Sequence, residues 1–320
     1  MRLLRSHQAE AEAVAAAAAA AVPTYAVPGP GPGPGPGPGP GPELPPVPVS
    51  AVLGRTFASS NFKREYDTTQ PPAGVGNLFA TLQDLLRAHC ETQDIRYRND
   101  EGLRFFEDLQ AEAHVNAGEL AGEGGGICQA TQRMWTSTLQ LRGREFSSIL
   151  NAAVRDDTLE LVPPAADMAR AINQLCVNAG RQSSTRQHPP NNVCYRGGGF
   201  DDSYRDFFAV GRVFRQPAYV ATSFSSGTAD VFMRRSPLPS KILWRIYIDP
   251  ERKCNHVNLV TKRVPGLPDE QEYLFAPYSV FTVLRVEWRA GTADDPHQVD
   301  LLAAVDNCGP SEELPLAPWS

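Results

Sequence analysis

The most informative stretch of this sequence is Asp269-Glu270-Gln271-Glu272-Tyr273-Leu274-Phe275-Ala276-Pro277-Tyr278. Two glutamates separated by a single residue precede an apolar run that Pro277 closes. If the chain is extended here, Glu270 and Glu272 point to the same face, because successive side chains of a strand alternate. Two adjacent negative charges are unfavourable unless a cationic group binds there. The stretch therefore predicts either a solvated acidic turn before a strand or a pair of carboxylates facing a cationic ligand.

The overall composition is that of an ordinary globular protein. The chain has 320 residues, of which 42% are hydrophobic and 21% are charged, so it can form one large domain or two smaller ones. The net charge is −6, and no run of lysines or arginines occurs. Because nucleic acids and anionic membranes bind basic patches, we expect neither as a partner. No apolar run is long enough to predict a membrane span, and the sequence gives no indication of the oligomeric state.

The cysteines favour reduced thiols over a disulfide framework or a metal site. Six cysteines are scattered along the chain without a CxxC pair. We therefore expect a cytoplasmic protein, with secretion left open. Cys254 and His256 are too close in sequence for the usual zinc spacing and lack a second pair, so we expect no metal.

The first fifty residues have the composition of a low-complexity extension. Residues 9–22 are rich in alanine, and residues 28–42 alternate glycine with proline, which cannot form a packed core. We expect residues 1–50 to be a disordered extension, residues 51–310 to form the folded domain, and residues 311–320 to be a tail.

The folded part is expected to begin near Thr56 or Gly74, and its patterns change from helical to extended along the chain. Apolar stripes predict helices that begin near Gly76, cover residues 103–109 and 144–155, and begin again at Pro163. Short apolar runs predict strands at residues 193–196, 219–224, 242–248, 273–275, 280–288 and 299–305. One further helix is predicted at residues 228–235, with Ser225 or Ser226 as its cap. Helices followed by strands indicate an α+β domain rather than alternating βαβ units.

Arginine and glycine adjoin at the end of the first predicted strand, in Cys194-Tyr195-Arg196-Gly197-Gly198-Gly199. A guanidinium binds phosphate oxygens through a fork of donors, and glycines let a ligand approach the backbone. The alternative is a glycine loop that is simply flexible.

A second motif joins a strand to a helix. Thr222 and Ser223 lie on the predicted strand that runs into the helix at residues 228–235. On that helix, Phe232 and Arg235 are three residues apart, which places a ring and a cation on one side. The alternative is a core phenylalanine beside a surface arginine.

The order of these motifs resembles one known family. Arg196, the Thr222-Ser223 strand with its following helix, and Glu270-x-Glu272 occur in the order seen in the arginine–serine–glutamate class of mono-ADP-ribosyltransferases. That class includes clostridial binary-toxin enzymes and vertebrate ecto-transferases, and the resemblance covers about residues 140–290. It implies a helical half packed on a two-sheet β core with a cleft for NAD, which is the substrate, and no metal.

The resemblance also implies a role for each matching residue. Arg196 is similar to the arginine that binds the NAD diphosphate, Gly197 to the residue whose backbone holds the nicotinamide amide, and Phe232 to the aromatic on the nicotinamide ring. Further NAD contacts are implied for Arg235, Asn151 and Thr222. Glu272 resembles the catalytic glutamate, Glu270 the acceptor-selecting one, and Ser223 a further catalytic-site residue. Residues 256–269 would form a mobile substrate loop.

The sequence departs from the family pattern at one position. The family carries Ser-Thr-Ser, whose first serine holds the catalytic glutamate, and Ala221 occupies that place here. Ser223 would replace it only if the strand shifts. A glutamate at position 270 implies arginine as the acceptor, so the expected function is ADP-ribosylation of arginine on a protein. An NAD glycohydrolase and a catalytically silent binding module are the alternatives.

Overall fold

The structure is a computed structural model that describes residues 55–95, 97, 101–121, 126–178, 189–249, 257–258 and 271–319. The extension expected at residues 1–50 lies outside the described residues. None of the helices in the described ranges is both long and apolar enough to cross a membrane.

The first half of the described chain is helical, and the predicted apolar stripes account for its helices at residues 75–92, 101–112, 146–156 and 162–178. The helices are α1 (Asn61–Thr68), α2 (Val75–Thr92), α3 (Glu101–Glu112), α4 (Ala117–Leu120), α5 (Ile127–Trp135), α6 (Phe146–Asp156) and α7 (Val162–Asn178). A short antiparallel pair, β1 (Gln140–Leu141) and β2 (Arg144–Glu145), precedes α6. The leucines of the predicted stripe on α2 are all fully buried: Leu78, Leu82, Leu85 and Leu86. Burial of each such side chain contributes about 1.5–3 kcal/mol.

Helix α1 has no apolar stripe, and its sequence pattern does not predict it. Phe62 is its only buried residue, and tertiary hydrogen bonds fix its start instead. The Ser60 side chain accepts from the Lys63 N–H, and the Asp157 carboxylate accepts from the backbone N–H groups of Asn61 (3.0 Å) and Phe62 (2.7 Å). These acceptors satisfy N–H groups that the first turn of a helix leaves unpaired.

The described residues of the second half form one sheet with one α-helix of ten residues. The strands are β3 (Val193–Phe200), β4 (Val213–Gln216), β5 (Val220–Ser223), β6 (Ser240–Tyr247), β7 (Val257–Asn258), β8 (Glu272–Phe275), β9 (Ser279–Glu287) and β10 (His297–Ala303), and α8 covers Ser226–Arg235. The eight strands are arranged in the order β4-β9-β10-β6-β3-β5-β8-β7. Only β6 and β10 are parallel among the described pairs. The prediction of an α+β domain is confirmed.

The sheet consists of two parts that meet at one position. β3 and β5 share the single pair Tyr195↔Ser223, whereas β3 and β6 are paired at every residue from Val193 to Phe200. The expected two-sheet core therefore takes the form of one eight-stranded sheet with a narrow junction between β3 and β5.

The two faces of the sheet belong to different cores. Tyr219 and Leu274 join the core made by the helices, so the helical layer covers β5 and β8 on that face. Trp244 and Phe275 point to the opposite face, where they pack with Phe207 of a 3₁₀ helix. The residues of β5 and β8 that face the helices therefore alternate with residues that face the aromatic core.

Residues 311–319, expected as a tail, pack against the edge strand β4. Leu316 and Ala317 are buried, and the backbone of Arg215 pairs with Pro315 (2.9 Å) and Ala317 (2.8 Å). The fully buried Arg215 guanidinium donates to four backbone carbonyls, those of Tyr278, Asn307, Pro310 and Ser311. The packed part of the chain therefore extends past the predicted boundary at residue 310.

Candidate active site

A cleft opens where β3, β5 and β8 meet α8. The cavity volume is about 200 Å³, and the cleft is open to solvent at its mouth. The lining residues are Tyr195, Arg196, Gly197, Ala221, Thr222, Ser223, Thr228, Ala229, Phe232 and Glu272. Four residue types with chemical roles thus share one space: a guanidinium, a carboxylate, hydroxyls and an exposed ring.

The register of the sheet aligns three of these residues in one row. Tyr195 of β3 pairs with Ser223 of β5, and Ser223 pairs with Glu272 of β8. Directly opposed residues of antiparallel strands point to the same face, here the face of the helical layer. The expectation that Ser223 reaches the glutamate only after a strand shift is wrong, since the native register already places it opposite Glu272. Ala221 lies on the same face two residues earlier, opposite Leu274.

Glu272 is the first residue of β8 and its carboxylate is held from the helical layer. The indole Nε1–H of Trp135, at the last residue of α5, donates to Glu272 Oε1 at 3.1 Å. Glu272 is half-buried and lines the cleft, while its Oε1 binds the Trp135 indole.

The premise that residues 270–272 are extended is wrong at Gln271. Its φ of 50° lies in the left-handed region, and the strand begins only at the next residue, Glu272. The alternation argument that placed Glu270 beside Glu272 therefore does not hold, because it requires an extended residue between them. Glu270 and most of the expected loop 256–269 lie outside the described residues, apart from the short strand β7.

Arg196 bridges β3 and β5 just beyond their single paired position. Its Nη1 donates to the backbone carbonyl of Ala221 at 2.8 Å, and Arg196, whose guanidinium carries further N–H donors, lines the cleft. The side chain is exposed to solvent although protein atoms surround it, as expected for the wall of a cleft. This enclosure lowers the pKa of Arg196, and the neighbouring Glu272 carboxylate opposes the shift. The guanidinium remains charged, since arginine does not lose its proton in proteins.

Protein packing, rather than ligand access, requires two of the glycines after Arg196. A Cβ at Gly197 would meet the Ala229 carbonyl oxygen at 1.9 Å, and a Cβ at Gly199 would meet Ser236 Oγ at 2.1 Å. α8 and the turn after it therefore pack directly on the backbone of β3. Of the three glycines, Gly198 alone has nothing within 4 Å of an added Cβ. Of these three glycines, Gly197 lines the cleft, so its backbone is the one that a ligand there can approach.

Helix α8 has the predicted cap, and its residues Thr228, Ala229 and Phe232 line the cleft. Ser225 is the N-cap, and its side chain accepts from the Thr228 N–H. Phe232 is 44% exposed and borders the cleft, so the interpretation as a core phenylalanine is wrong. Arg235 is exposed at the end of the helix and does not line the cleft.

Two other residues predicted to contact NAD have structural partners in the fold. Thr222 Oγ1 donates to the Tyr273 carbonyl at 2.6 Å, across the pair of strands β5 and β8. Asn151 on α6 accepts from the Tyr219 N–H at 2.9 Å and does not line the cleft. Asn151 thus joins the helical layer to the start of β5 and so helps to fix the sheet beneath the cleft.

Sequence reasoning missed Tyr195, which lines the cleft, and Trp135, which binds the Glu272 carboxylate from the helical layer. The apolar positions Ile127, Ala130 and Met134 have helical spacing and would have predicted α5. The contact between Trp135 and Glu272 spans 137 positions of sequence and has no local signal.

As for metals, the described residues contain no cluster of three or more His, Cys, Asp or Glu side chains that could hold an ion.

Comparisons with known proteins give structural likeness only. No family model matches the sequence, and no curated protein matches it significantly. The chain is similar to the ADP-ribosyltransferase Vis of Vibrio splendidus in complex with agmatine, with 16% identity and a TM-score of 0.40 over 65% of this chain and 86% of that one. It is similar to the ADP-ribosyltransferase HopU1 of Pseudomonas syringae pv. Tomato DC3000, with 17% identity and a TM-score of 0.42 over 70% and 97% of the two chains. Likeness at this level of identity concerns the fold alone.

Proposed function

We propose that the chain is an NAD-dependent mono-ADP-ribosyltransferase that transfers ADP-ribose to arginine on a protein and releases nicotinamide. One observation carries the proposal: Arg196 and Glu272, from strands far apart in sequence, line one cleft together with the exposed ring of Phe232. An anion-binding fork, a carboxylate and an aromatic face are the groups that a dinucleotide with a cationic leaving ring requires.

On the NAD side, the three groups have complementary tasks. The Arg196 guanidinium binds the diphosphate through charge-assisted hydrogen bonds, while its contact with the Ala221 carbonyl keeps the fork in place. Phe232 offers its face to the cationic nicotinamide ring, which is attracted to aromatic faces. The Gly197 backbone, closed on its Cβ side by Ala229, supplies polar groups beside that ring.

Bond cleavage requires negative charge near the ribose. When the nicotinamide–ribose bond breaks, its electron pair leaves with nicotinamide, which becomes neutral, and positive charge develops on the ribose as in glycoside hydrolysis. The Glu272 carboxylate stabilises that charge, a contribution of several kcal/mol for a preorganised group. No general acid is needed, because the leaving group already carries the charge.

The acceptor side depends on Glu270, whose assignment comes from the family resemblance. A carboxylate beside the ribose binds an incoming guanidinium and takes the proton that its nitrogen loses as the new nitrogen–ribose bond forms. Glutamate at this position favours arginine as the acceptor, and water as the acceptor would give a glycohydrolase.

The test measures nicotinamide release and modification of agmatine, an arginine analogue, in the same reaction. We expect both activities in the wild type and neither in Glu272→Gln. Nicotinamide release without modified agmatine would replace the transferase by a glycohydrolase. Binding of NAD without release would leave a silent binding module.

A further inference from the structure

We propose that Trp135 is a positioning residue that holds the Glu272 carboxylate in its reactive orientation. Its Nε1–H donates to Glu272 Oε1 at 3.1 Å, from the last residue of α5 across to the first residue of β8. The inference rests on the proposed function for the reactive role of Glu272, whereas the contact itself does not.

The indole has little freedom to move. Trp135 is only 5% exposed, and its ring packs on Tyr219 with 4.9 Å between the ring centroids. The Tyr219 hydroxyl lies 3.0 Å from Asn173 Oδ1 on α7, and its backbone N–H donates to Asn151 on α6. Two helices and the start of β5 therefore fix the ring that carries the donor. A donor fixed by folding orients its acceptor without a further loss of entropy during the reaction.

Two positions of β5 lie on the same face of the sheet as Glu272. Ala221, which lines the cleft on the same face as Glu272, has no hydroxyl. Ser223, directly opposite Glu272, accepts from the Ser225 N–H at 3.0 Å and so also fixes the turn into α8. The donor from the helical layer ties the carboxylate to a rigid element of the fold.

An indole suits this task because it is a neutral donor. The Trp N–H donates only and does not titrate, so it binds the ionised carboxylate without cancelling its charge. A lysine or arginine in the same place would neutralise the negative charge that the developing ribose cation requires. The geometry therefore orients the carboxylate and preserves its charge together.

The kinetic test is Trp135→Phe, which keeps a ring and removes the donor. A hydrogen bond to a charged group is worth about 1.5–3 kcal/mol, so we expect kcat for NAD cleavage to fall about 10- to 100-fold. KM is expected to stay within about 2-fold, because the diphosphate and ring contacts are unchanged. Trp319→Phe is the matched control, since its indole stacks on Phe208 at 4.5 Å and does not line the cleft. Equal kcat in Trp135→Phe and wild type would overturn the proposal.

The spectroscopic test needs no activity. With ¹⁵N-labelled tryptophan, the wild type gives indole N–H resonances that the Trp→Phe variants assign. We expect the Trp135 resonance to move upfield in Glu272→Ala, while the Trp319 resonance keeps its position. An unmoved Trp135 resonance would overturn the contact. Movement of the resonance in a protein that does not cleave NAD would support the contact and overturn the proposed function instead.

Discussion

Ser223 and Glu272 lie directly opposite each other on the antiparallel strands β5 and β8. The pair lies at the junction where β5 also meets β3 through Tyr195, so the cleft is built on the narrowest part of the sheet. Arg196, one residue along β3, reaches across this junction to the Ala221 carbonyl. At the site, β3 and β5 are therefore joined by one backbone pair and, beside it, by the hydrogen bond from the Arg196 side chain.

Replacement of Arg196 by lysine tests its binding role. Lysine keeps the charge but not the fork, and it cannot bind both the Ala221 carbonyl and a diphosphate in the same geometry. We expect KM for NAD to rise about 10-fold or more, with a smaller change in kcat. Arg234→Lys is the matched control, since Arg234 pairs with Asp230 on the outside of α8. Similar KM values in both variants would remove Arg196 from NAD binding.

Glu270→Gln tests the acceptor role. If Glu270 serves the acceptor alone, NAD cleavage in water persists while transfer to agmatine collapses, by about 100-fold for a lost proton acceptor. The measurement is the ratio of the two activities in one preparation, which misfolding cannot mimic. Parallel loss of both activities would instead mean that Glu270 shapes the NAD site.

Gly197→Ala tests the close packing of α8 on β3. The added Cβ would overlap the Ala229 carbonyl oxygen at 1.9 Å, so we expect a loss of about 1–3 kcal/mol of unfolding free energy. Gly198→Ala is the matched control on the same strand, because nothing lies within 4 Å of its added Cβ. Denaturant unfolding measures both variants, and equal losses would contradict this account of the glycines.

The buried His89 is expected to make the unfolding free energy depend on pH. Burial on α2 and the nearby Arg144 lower the pKa of His89 to about 4, against the opposing effect of Asp156. The folded pKa is below the unfolded value near 6.5, so acid protonates His89 in the unfolded state before it does so in the folded state. The unfolding free energy is therefore insensitive to His89 above about pH 6.5 and declines as the pH falls towards 4. The loss is of the order of 3 kcal/mol.

The measurement for His89 is urea unfolding across that pH window. His89→Gln is expected to flatten the decline in unfolding free energy on acidification, whatever its own cost at neutral pH. His114→Gln, which replaces an exposed histidine, serves as the control. An unchanged slope in His89→Gln would assign the acid sensitivity to other groups.

Deletion of residues 1–50 tests the domain boundary. A chain of alternating glycine and proline adds nothing to a core, so NAD cleavage and the unfolding temperature should be unchanged. A longer deletion that includes α1 removes the buried Phe62 and the partners of Asp157, and we expect it to lower the unfolding temperature. If the shorter deletion already does so, the folded domain begins earlier.

Sequence patterns predicted those parts of the fold in which local spacing and burial agree. The leucine stripe of α2 and the short apolar strands are of this kind, and so is the Ser225 cap. Helix α1 was missed because tertiary acceptors at Asp157 fix it. The left-handed Gln271 was missed because sequence rarely marks a positive φ at a residue other than glycine or asparagine.

The candidate site was predicted to a similar extent and for a similar reason. Arg196, Phe232 and Glu272 were found through their motifs, and all three line the cleft. Trp135 was missed because its role depends on a contact between the two halves of the chain. Residues that orient a reactive group leave no local pattern, since only the folded chain brings them to it.

The buried Arg215 has a consequence for how the protein is made. During synthesis, β4 leaves the ribosome well before residues 307–311, whose carbonyls bind the Arg215 guanidinium. Until they emerge, the nascent chain carries a charged group whose burial would be costly, because a buried cation needs its acceptors. We infer that this edge of the sheet stays open on the translating ribosome and closes only after Ala317 has emerged, so stalled nascent chains should remain sensitive to protease at β4.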